Sequence, residues 1–560
     1  MSSFRSTFVH RARALLPNSR DYAGLATSWR QDLLAGVTVG VVALPLALGF
    51  GVASGVGATA GMITAIVAGI VAAIFGGSAV QVSGPTGAMA VVLVSIVARF
   101  GVGAVATVSV IAGVMVILFG LFGLGRIINF VPWSVLEGFT LGIAVVIALQ
   151  QVPLLMGQSK GTGSSVLDSA WRAVANARHD VPTLTLVMGL GVVLVMALTA
   201  RVTTKIPPSI VAVVLVTAIA EFADARVPTL GALPRHLPAP RLPALSLSQF
   251  HQLAGPALAV ALLVAIESLL SARVADAMVA GPRSGENREM LGQGLANIAC
   301  GLFGGMPATG AIARTAVNVR SGARTRLSAI THAVVIVLVI LFLAPAVEKI
   351  PLAVLGGVLV MTAVRMVDRV RIVRVLRSHR SETVAFALTA IVTVTVNLVT
   401  AIEVGLVVAG VLALRSLATQ SGAVREEFAS GDEGTPEDLQ LLREHIAVFR
   451  FDGALFFGAA PHFLESFSEL AGASVVILRL RGLTFIDATG TDVLTQIIED
   501  LEDRHVTVLV KATDDNNQRL CRSSAAIERL ANDGHVFSDF DATVAHARRH
   551  LERHGHRLGH

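Results

Sequence analysis

Between residues 32 and 418 the chain alternates long apolar runs with short polar loops. From Leu33 to Phe122 one charged residue, Arg99, stands in ninety positions. A soluble core of that size could not clothe itself with so few charges, whereas a hydrocarbon solvent needs none. A bilayer-crossing helix takes about 20 apolar residues, and half-helices that meet inside the membrane take fewer. Runs of this kind begin near Leu33, Gly57, Thr86, Gly103, Pro132, Thr183, Ile206, Pro256, Glu289, Thr309, Leu327, Pro351, Glu382 and Ala401, which predicts fourteen membrane-spanning helices. Twelve crossings with two re-entrant segments is the alternative.

Beyond residue 418 the pattern changes. Residues 419–440 read as an acidic linker. Strand-length apolar runs follow at Ile446–Phe451, Leu455–Phe457, Val475–Leu480 and Val506–Val510. They alternate with helical stretches at Ala460–Glu469, Gly490–Asp503 and Asn517–Ala531, which predicts a small α/β domain over 441–553 and a tail at 554–560. In Phe485-Ile486-Asp487-Ala488-Thr489-Gly490, the Asp and the Gly set a tight turn that starts a helix.

Loop charge orients the spans. The segment 1–31 carries Arg5, Arg11, Arg13, Arg20 and Arg30. The loops after the fourth, sixth, eighth, tenth and twelfth spans carry Arg126, Arg201 with Lys205, Arg283 with Arg288, Arg320 with Arg324 and Arg326, and a run from Arg365 to Arg380. All fall on one side, so the positive-inside bias predicts a multi-pass protein of the cell membrane with both termini cytoplasmic. Only 15% of residues are charged against about 25% in soluble domains. The net charge of +6 therefore belongs to these loops, and no nucleic-acid partner is expected. Two cysteines, Cys300 and Cys521, one per region, predict no disulfide. The basic N-terminus has no apolar core and does not read as a cleaved signal peptide. The terminal HARRHLERHGHRLGH offers metal ligands but reads first as a solvated basic tail. No nucleotide loop, metal cluster or nucleophile motif supports an enzyme, and no cofactor is expected beyond a coupling H⁺ or Na⁺.

Two interruptions match across the spans. Ser83-Gly84-Pro85-Thr86-Gly87-Ala88-Met89-Ala90 opens the third, and Pro307-Ala308-Thr309-Gly310-Ala311-Ile312-Ala313 opens the tenth. Both place Thr-Gly-Ala-x-Ala after a proline, seven spans apart, as an inverted seven-plus-seven repeat requires. Proline and glycine break a helix, and the restarting helix has N–H groups without intrahelical partners. Two such N-termini facing each other make an anion site with no formal charge. Candidate anion-binding residues are thus Thr86, Gly87, Ala88, Thr309, Gly310, Ala311 and Ile312, with Arg314 one turn on. The alternative is that these small residues only allow close helix packing. Ionisable groups inside a span are costly and usually functional. Glu267 in the eighth span, with Ser271 four residues on, suits a proton or Na⁺; the alternative is a structural glutamate bonded across helices. Arg314 raises the local positive potential, or else pairs with Glu267 or a backbone carbonyl. Glu137 reads as a second proton group or a cap, and Arg273 with Asp276 as an interfacial pair.

Together ALPLALGFGVASG from Ala43, QVSGPTGAMAVV from Gln81, EGFTLGIAVVIALQQ from Glu137, AIESLLSARVADAM from Ala265 and GQGLANIACGLFGGMPATGAIARTAVNVRSGA from Gly292 resemble the sulfate permease (SulP) family of anion transporters. The tail resembles the STAS domain that ends these proteins. The resemblance implies seven plus seven inverted repeats divided into core and gate domains, an elevator-like motion, a homodimer, and an anion between the N-termini of the third and tenth spans. It also allows a cytoplasmic protein partner for the STAS-like domain. The Ala43 and Gln81 segments are similar to sodium-coupled bicarbonate members, in which an Asp stands at the position of Glu267 and a Thr at that of Ser271. AIESLL with ATGAIARTAVNVRSGA is closer to proton-coupled dicarboxylate and sulfate-type members. Ala488 occupies the place of the phosphorylatable serine of switched STAS domains. The implied function is secondary active transport of sulfate, bicarbonate or a C4-dicarboxylate. The alternatives are a membrane sensor or scaffold signalling through the STAS-like domain, and a nucleobase–proton symporter of the same fold.

Overall fold

The structure is a computed structural model; it describes residues 17–22, 24–125, 132–158, 166–176, 183–203, 206–243, 247–279, 283–396, 398–426, 444–468, 472–511 and 524–553. They form two compact units, Met1–Leu406 and Val407–His560.

Helices occupy all fourteen positions that the apolar pattern marks. They are α1 Leu25–Ala53, α2 Ala58–Phe75, α3 Gly87–Phe100, α4 Gly103–Leu121, α5 Trp133–Leu155, α7 Thr183–Val202, α8 Pro208–Phe222, α9 Leu247–Met278, α10 Glu286–Leu302, α11 Ile312–Arg320, α12 Arg326–Glu348, α13 Leu352–Met366, α15 Arg380–Thr395 and α16 Leu398–Thr419. The pattern does not mark α6 Val166–Asn176 or α14 Arg369–Leu376, both short and polar on one side. Among the described residues seven helices have the length and apolarity to cross a membrane: α1, α2, α4, α5, α7, α9 and α12. The outer surface agrees, since α7 turns Leu184, Val187, Leu190, Leu194 and Leu198 outward. A stripe of exposed leucines at helical spacing is what a lipid-facing helix presents.

Two helices start earlier than the apolar pattern indicates. The first begins at Leu25 rather than Leu33, and α9 at Leu247 rather than Pro256, so that Pro256 lies inside it. The added turns are polar, and a helix does not end where its apolar stripe ends. The nine residues of α11 span only about 14 Å.

Close packing rests on glycine at a few crossings. A Cβ on Gly113 of α4 would lie 2.6 Å from the Gly294 carbonyl of α10, and one on Gly294 would lie 2.6 Å from the Gly113 carbonyl. At the start of α1, buried Asp32 accepts from Ser28 Oγ, from the Arg324 and Thr325 N–H groups and from Thr325 Oγ1. That single carboxylate ties α1 to the loop ahead of α12.

The broken segments are braced by side chains of neighbouring helices, three of the four across the two halves of the chain. Asn297 of α10 brackets Ala308, its Nδ2 donating to the carbonyl at 2.9 Å and its Oδ1 accepting the N–H at 2.9 Å. Thr64 of α2 does the same for Met306, donating to its carbonyl and accepting its N–H. Reciprocally, α11 holds the first break: Thr315 Oγ1 accepts the Val82 N–H and Asn318 Nδ2 donates to the Val80 carbonyl. Each brace satisfies backbone groups that would be stranded at membrane depth.

In the second unit, five strands run in the order β3 Gly422–Glu426, β4 Ile446–Leu455, β5 Val475–Ile486, β6 Thr507–Lys511 and β7 Val536–Phe537. The edge strand β3 is antiparallel to β4 and the other neighbours are parallel. Alternate residues of β4 face opposite cores. Ala447 and Phe449 join the core with α17 Ala460–Ser468, α18 Ala488–Asp503 and α19 Ala525–Asn532. Ile446 and Val448 join the core under α20 Phe540–Arg553. Asp487 caps α18, accepting the Gly490 N–H at 2.7 Å, and Ala488 follows it. Three details correct the sequence reading. Strand β3 lies inside the expected linker, Leu455 closes β4 rather than opening a separate strand, and the third helix begins at Ala525, residues 512–523 lying outside the described ones.

Asn297→Ala strips Ala308 of both partners. Each stranded buried group is expected to cost about 1–3 kcal/mol, read as a lower unfolding temperature of the detergent-solubilised protein.

Candidate anion site

The two interruptions meet. Ser83–Gly84 (β1) and Thr309–Gly310 (β2) pair as a two-stranded antiparallel sheet, Ser83 opposite Gly310 and Gly84 opposite Thr309. A helix restarts directly after each strand. Thr86 caps α3, its hydroxyl facing the Met89 N–H at 3.5 Å, and Ala311 stands in the cap position of α11 without a side-chain bond. The first N–H groups of both helices, including Gly87 and Ala88 on α3 and Ile312 on α11, have no intrahelical acceptor. Gly87, Ala88 and Ala311 are buried, while Ile312 is exposed.

Glu267 of α9 sits at this junction. Its Oε2 accepts from Thr86 Oγ1 at 2.8 Å and from Thr309 Oγ1 at 2.6 Å, and the two hydroxyls are 3.1 Å apart. One carboxylate oxygen thus joins both breaks to a third helix. Thr309 is fully buried, whereas Glu267 keeps part of its surface accessible. Arg314 is 2% exposed; its Nη2 donates to the Pro85 carbonyl, and its Nη1 has no hydrogen-bond partner among the described residues. The guanidinium lies close enough to Glu267 for direct electrostatic interaction.

Three expectations need revision. Ser271 does not complete the Glu267 site; it is fully buried and bonds Thr315 Oγ1 at 3.1 Å. The N–H groups of Gly310 and Ala311 are engaged, the first donating to Ser268 Oγ at 3.0 Å and the second to the Val82 carbonyl at 2.9 Å. They are satisfied within the break itself, and the next N–H groups belong to the first turn of α11, which starts at Ile312. Arg273 and Asp276 have separate partners: Arg273 reaches Glu286 at 3.3 Å and Asp276 accepts from the Ser284 N–H and hydroxyl. Glu137 is paired at 3.3 Å with Arg371 of α14.

The sequence reading missed the residues behind the site. In the apolar pattern Glu289 marks only the start of a span. Its Oε2 accepts the Gly77 and Ser78 N–H groups and its Oε1 accepts Gln81 Nε2 and Gln293 Nε2, all within 3.0 Å. Gln293 also donates to Ser83 Oγ at 2.6 Å, so α10 steers β1 directly. The signal was present: Glu289, Gln293 and Asn297 recur every four residues, a polar stripe on one face of an apolar helix. A surface cavity of about 1180 Å³ is lined in part by Thr107, His236, Arg241 and Gln249, and none of the junction residues lines it.

Comparison with known proteins fits this architecture. The sulfate permease family profile matches residues 29–389, and the STAS domain profile matches residues 442–543. YvdB of Bacillus subtilis (strain 168), whose name assigns it provisionally to sulfate transport, is 34% identical over 523 residues, covering 92% of this chain and 97% of YvdB. The bicarbonate transporter BicA of Synechocystis sp. is 32% identical over 509 residues, covering 87% of this chain and 89% of BicA. Among solved structures, the overall structure of SLC26A9 superposes with a TM-score of 0.79 at 17% identity, covering 99% of this chain and 96% of that one, a likeness of fold.

A Cβ on Gly310 would lie 1.9 Å from Gln81 Nε2, whereas one on Gly191 of α7 meets nothing within 4 Å. Gly310→Ala is expected to lower the unfolding temperature by displacing Gln81 from Glu289, and Gly191→Ala to leave it unchanged or slightly raised. Equal behaviour of the two variants would contradict this packing.

Proposed function

Because the chain belongs to the sulfate permease family of membrane transporters, we propose that it moves a small oxyanion across the membrane in symport with a cation taken up at Glu267. The substrate class is sulfate, bicarbonate or a C4-dicarboxylate, since backbone donors at helix N-termini take any small oxyanion. The relatives' names, which include sulfate and bicarbonate, support the inorganic anions first. Bound anion would sit between the starts of α3 and α11, against the N–H groups of Gly87, Ala88 and Ile312.

The observation that carries this reading is the shared oxygen: Glu267 Oε2 holds the hydroxyls of both breaks at once. Coupling follows from charge. Each helix N-terminus contributes roughly half a positive charge. With Glu267 ionised, its charge offsets that of Arg314 and the junction is a poor anion site. With Glu267 protonated, or a Na⁺ beside it, the positive charge of Arg314 and the two helix ends stands uncompensated and an anion is favoured. Cation and anion therefore load together and leave together, which is symport. The proton is favoured over Na⁺, because the hydroxyls already donate to the carboxylate and Ser271, the expected further ligand, is engaged by Thr315. An elevator-type motion of the part carrying β1, β2 and α9, within a homodimer, would present the junction to each side of the membrane in turn. The STAS domain is left to regulation or to a cytoplasmic protein partner.

Proteoliposomes loaded with the purified protein should accumulate labelled sulfate, bicarbonate or fumarate under an imposed pH or Na⁺ gradient. No uptake of any of them under either gradient would contradict the transporter reading. Glu267→Gln is expected to abolish the response to the gradient, and coupled uptake surviving it would remove Glu267 from the coupling role. Ala311→Phe should block uptake of whichever anion is carried, by filling the space between the two helix ends.

A further inference from the structure

We propose that the C-terminal α/β domain binds one divalent transition-metal ion of the zinc type through His535, His546 and His550. His546 and His550 are four residues apart on α20 and so share a face, and His535 stands directly before β7. Their rings cluster, with centroids 5.0 Å apart for His546 and His550, 5.4 Å for His535 and His550, and 5.5 Å for His535 and His546. One nitrogen from each ring lies within 4.8 Å of those of the other two, and all three residues are half-buried. Nε2 of His546 is buried with no hydrogen-bond partner among the described residues.

The chemistry suits a borderline ion. Imidazole favours zinc, copper and nickel over magnesium or calcium. Three imidazoles leave the fourth position of a zinc tetrahedron to water. Tetrahedral zinc with bonds of about 2.0–2.1 Å needs nitrogens roughly 3.3 Å apart. The nitrogens must therefore close by up to about 1.5 Å from their present separation of within 4.8 Å.

Two neighbours define what binding would do. The apolar face of α20, with Val544, Ala547 and Leu551, rests on Ile446, Val448, Val475, Ile477 and Leu509. A metal held from both sides would pin the end of that helix to the strand edge at β7. Arg549 Nη2 lies 3.3 Å from His546 Nδ1. A guanidinium only donates, so this contact holds Nδ1 as an acceptor and competes with coordination.

The test uses the full-length protein, stripped of metal and titrated with zinc chloride against a chromophoric chelator, with Co²⁺ absorption as the measure of four-coordination. One ion per chain and an intense visible Co²⁺ band are expected. His546→Ala and His550→Ala are each expected to weaken zinc by at least about 100-fold, more than the loss of an outer partner costs. Replacing His554, His556 and His560 together by Ala is expected to change nothing. Arg549→Gln, which keeps all three ligands and so guards against a folding artefact, is expected to tighten binding several-fold. The proposal is overturned if zinc does not bind, if the terminal triple variant abolishes binding, if either single histidine variant leaves the affinity unchanged, or if Arg549→Gln weakens it.

Discussion

A helix interrupted at membrane depth leaves backbone N–H and C=O groups where water cannot reach them, and the rest of this architecture follows from how they are satisfied. Each stranded group is expensive in a medium without donors or acceptors. The chain pairs its two breaks with each other as β1 and β2. It then braces them with side chains of neighbouring helices, Thr64 of the first half and Asn297 of the second around residues 306–308, Thr315 and Asn318 of the second half around residues 80–82. The first break is thus held from the second half of the chain, and the second break from both halves.

The buried charges have the same logic. Glu289 is surrounded by four donors and orders the approach to β1, a structural role. Asp32 is likewise saturated at the start of α1. Glu267 differs. Its bonds are hydroxyl bonds on one oxygen, part of its surface is accessible, and its cationic neighbour Arg314 retains an unpartnered nitrogen. Saturated carboxylates hold a fold together; an incompletely satisfied one beside a cation with one unpartnered nitrogen is where the proposed exchange of a proton and an anion would be seated.

Much of this was legible in the sequence for a physical reason. Ionisable residues and proline–glycine breaks stand out in apolar runs because the membrane penalises them, which is why Thr86, Thr309, Glu267 and Arg314 could be picked out and are found together. What was hidden depends on pairing between distant residues. That the Gly310 and Ala311 N–H groups are engaged follows from contacts with Ser268 and Val82. Ser271 turns to Thr315 rather than to Glu267, a matter of helix rotation that spacing along one helix does not reveal. Strand β3, GAVRE, has almost no apolar signal and becomes a strand by pairing with β4, so it read as linker. The helix α20 carried a readable stripe, Val544, Ala547 and Leu551, obscured by the arginines and histidines around it.

The central claim is that the facing starts of α3 and α11 hold the anion, with Glu267 as the switch beside them. It is tested most directly by a structure of the protein with its transported anion bound, at a resolution that separates an oxyanion from water. The account predicts density between the two helix ends, within hydrogen-bond reach of the Gly87, Ala88 and Ile312 N–H groups. An anion resting instead in the cavity beside His236 and Arg241, with the space between the helix ends holding none, would contradict it.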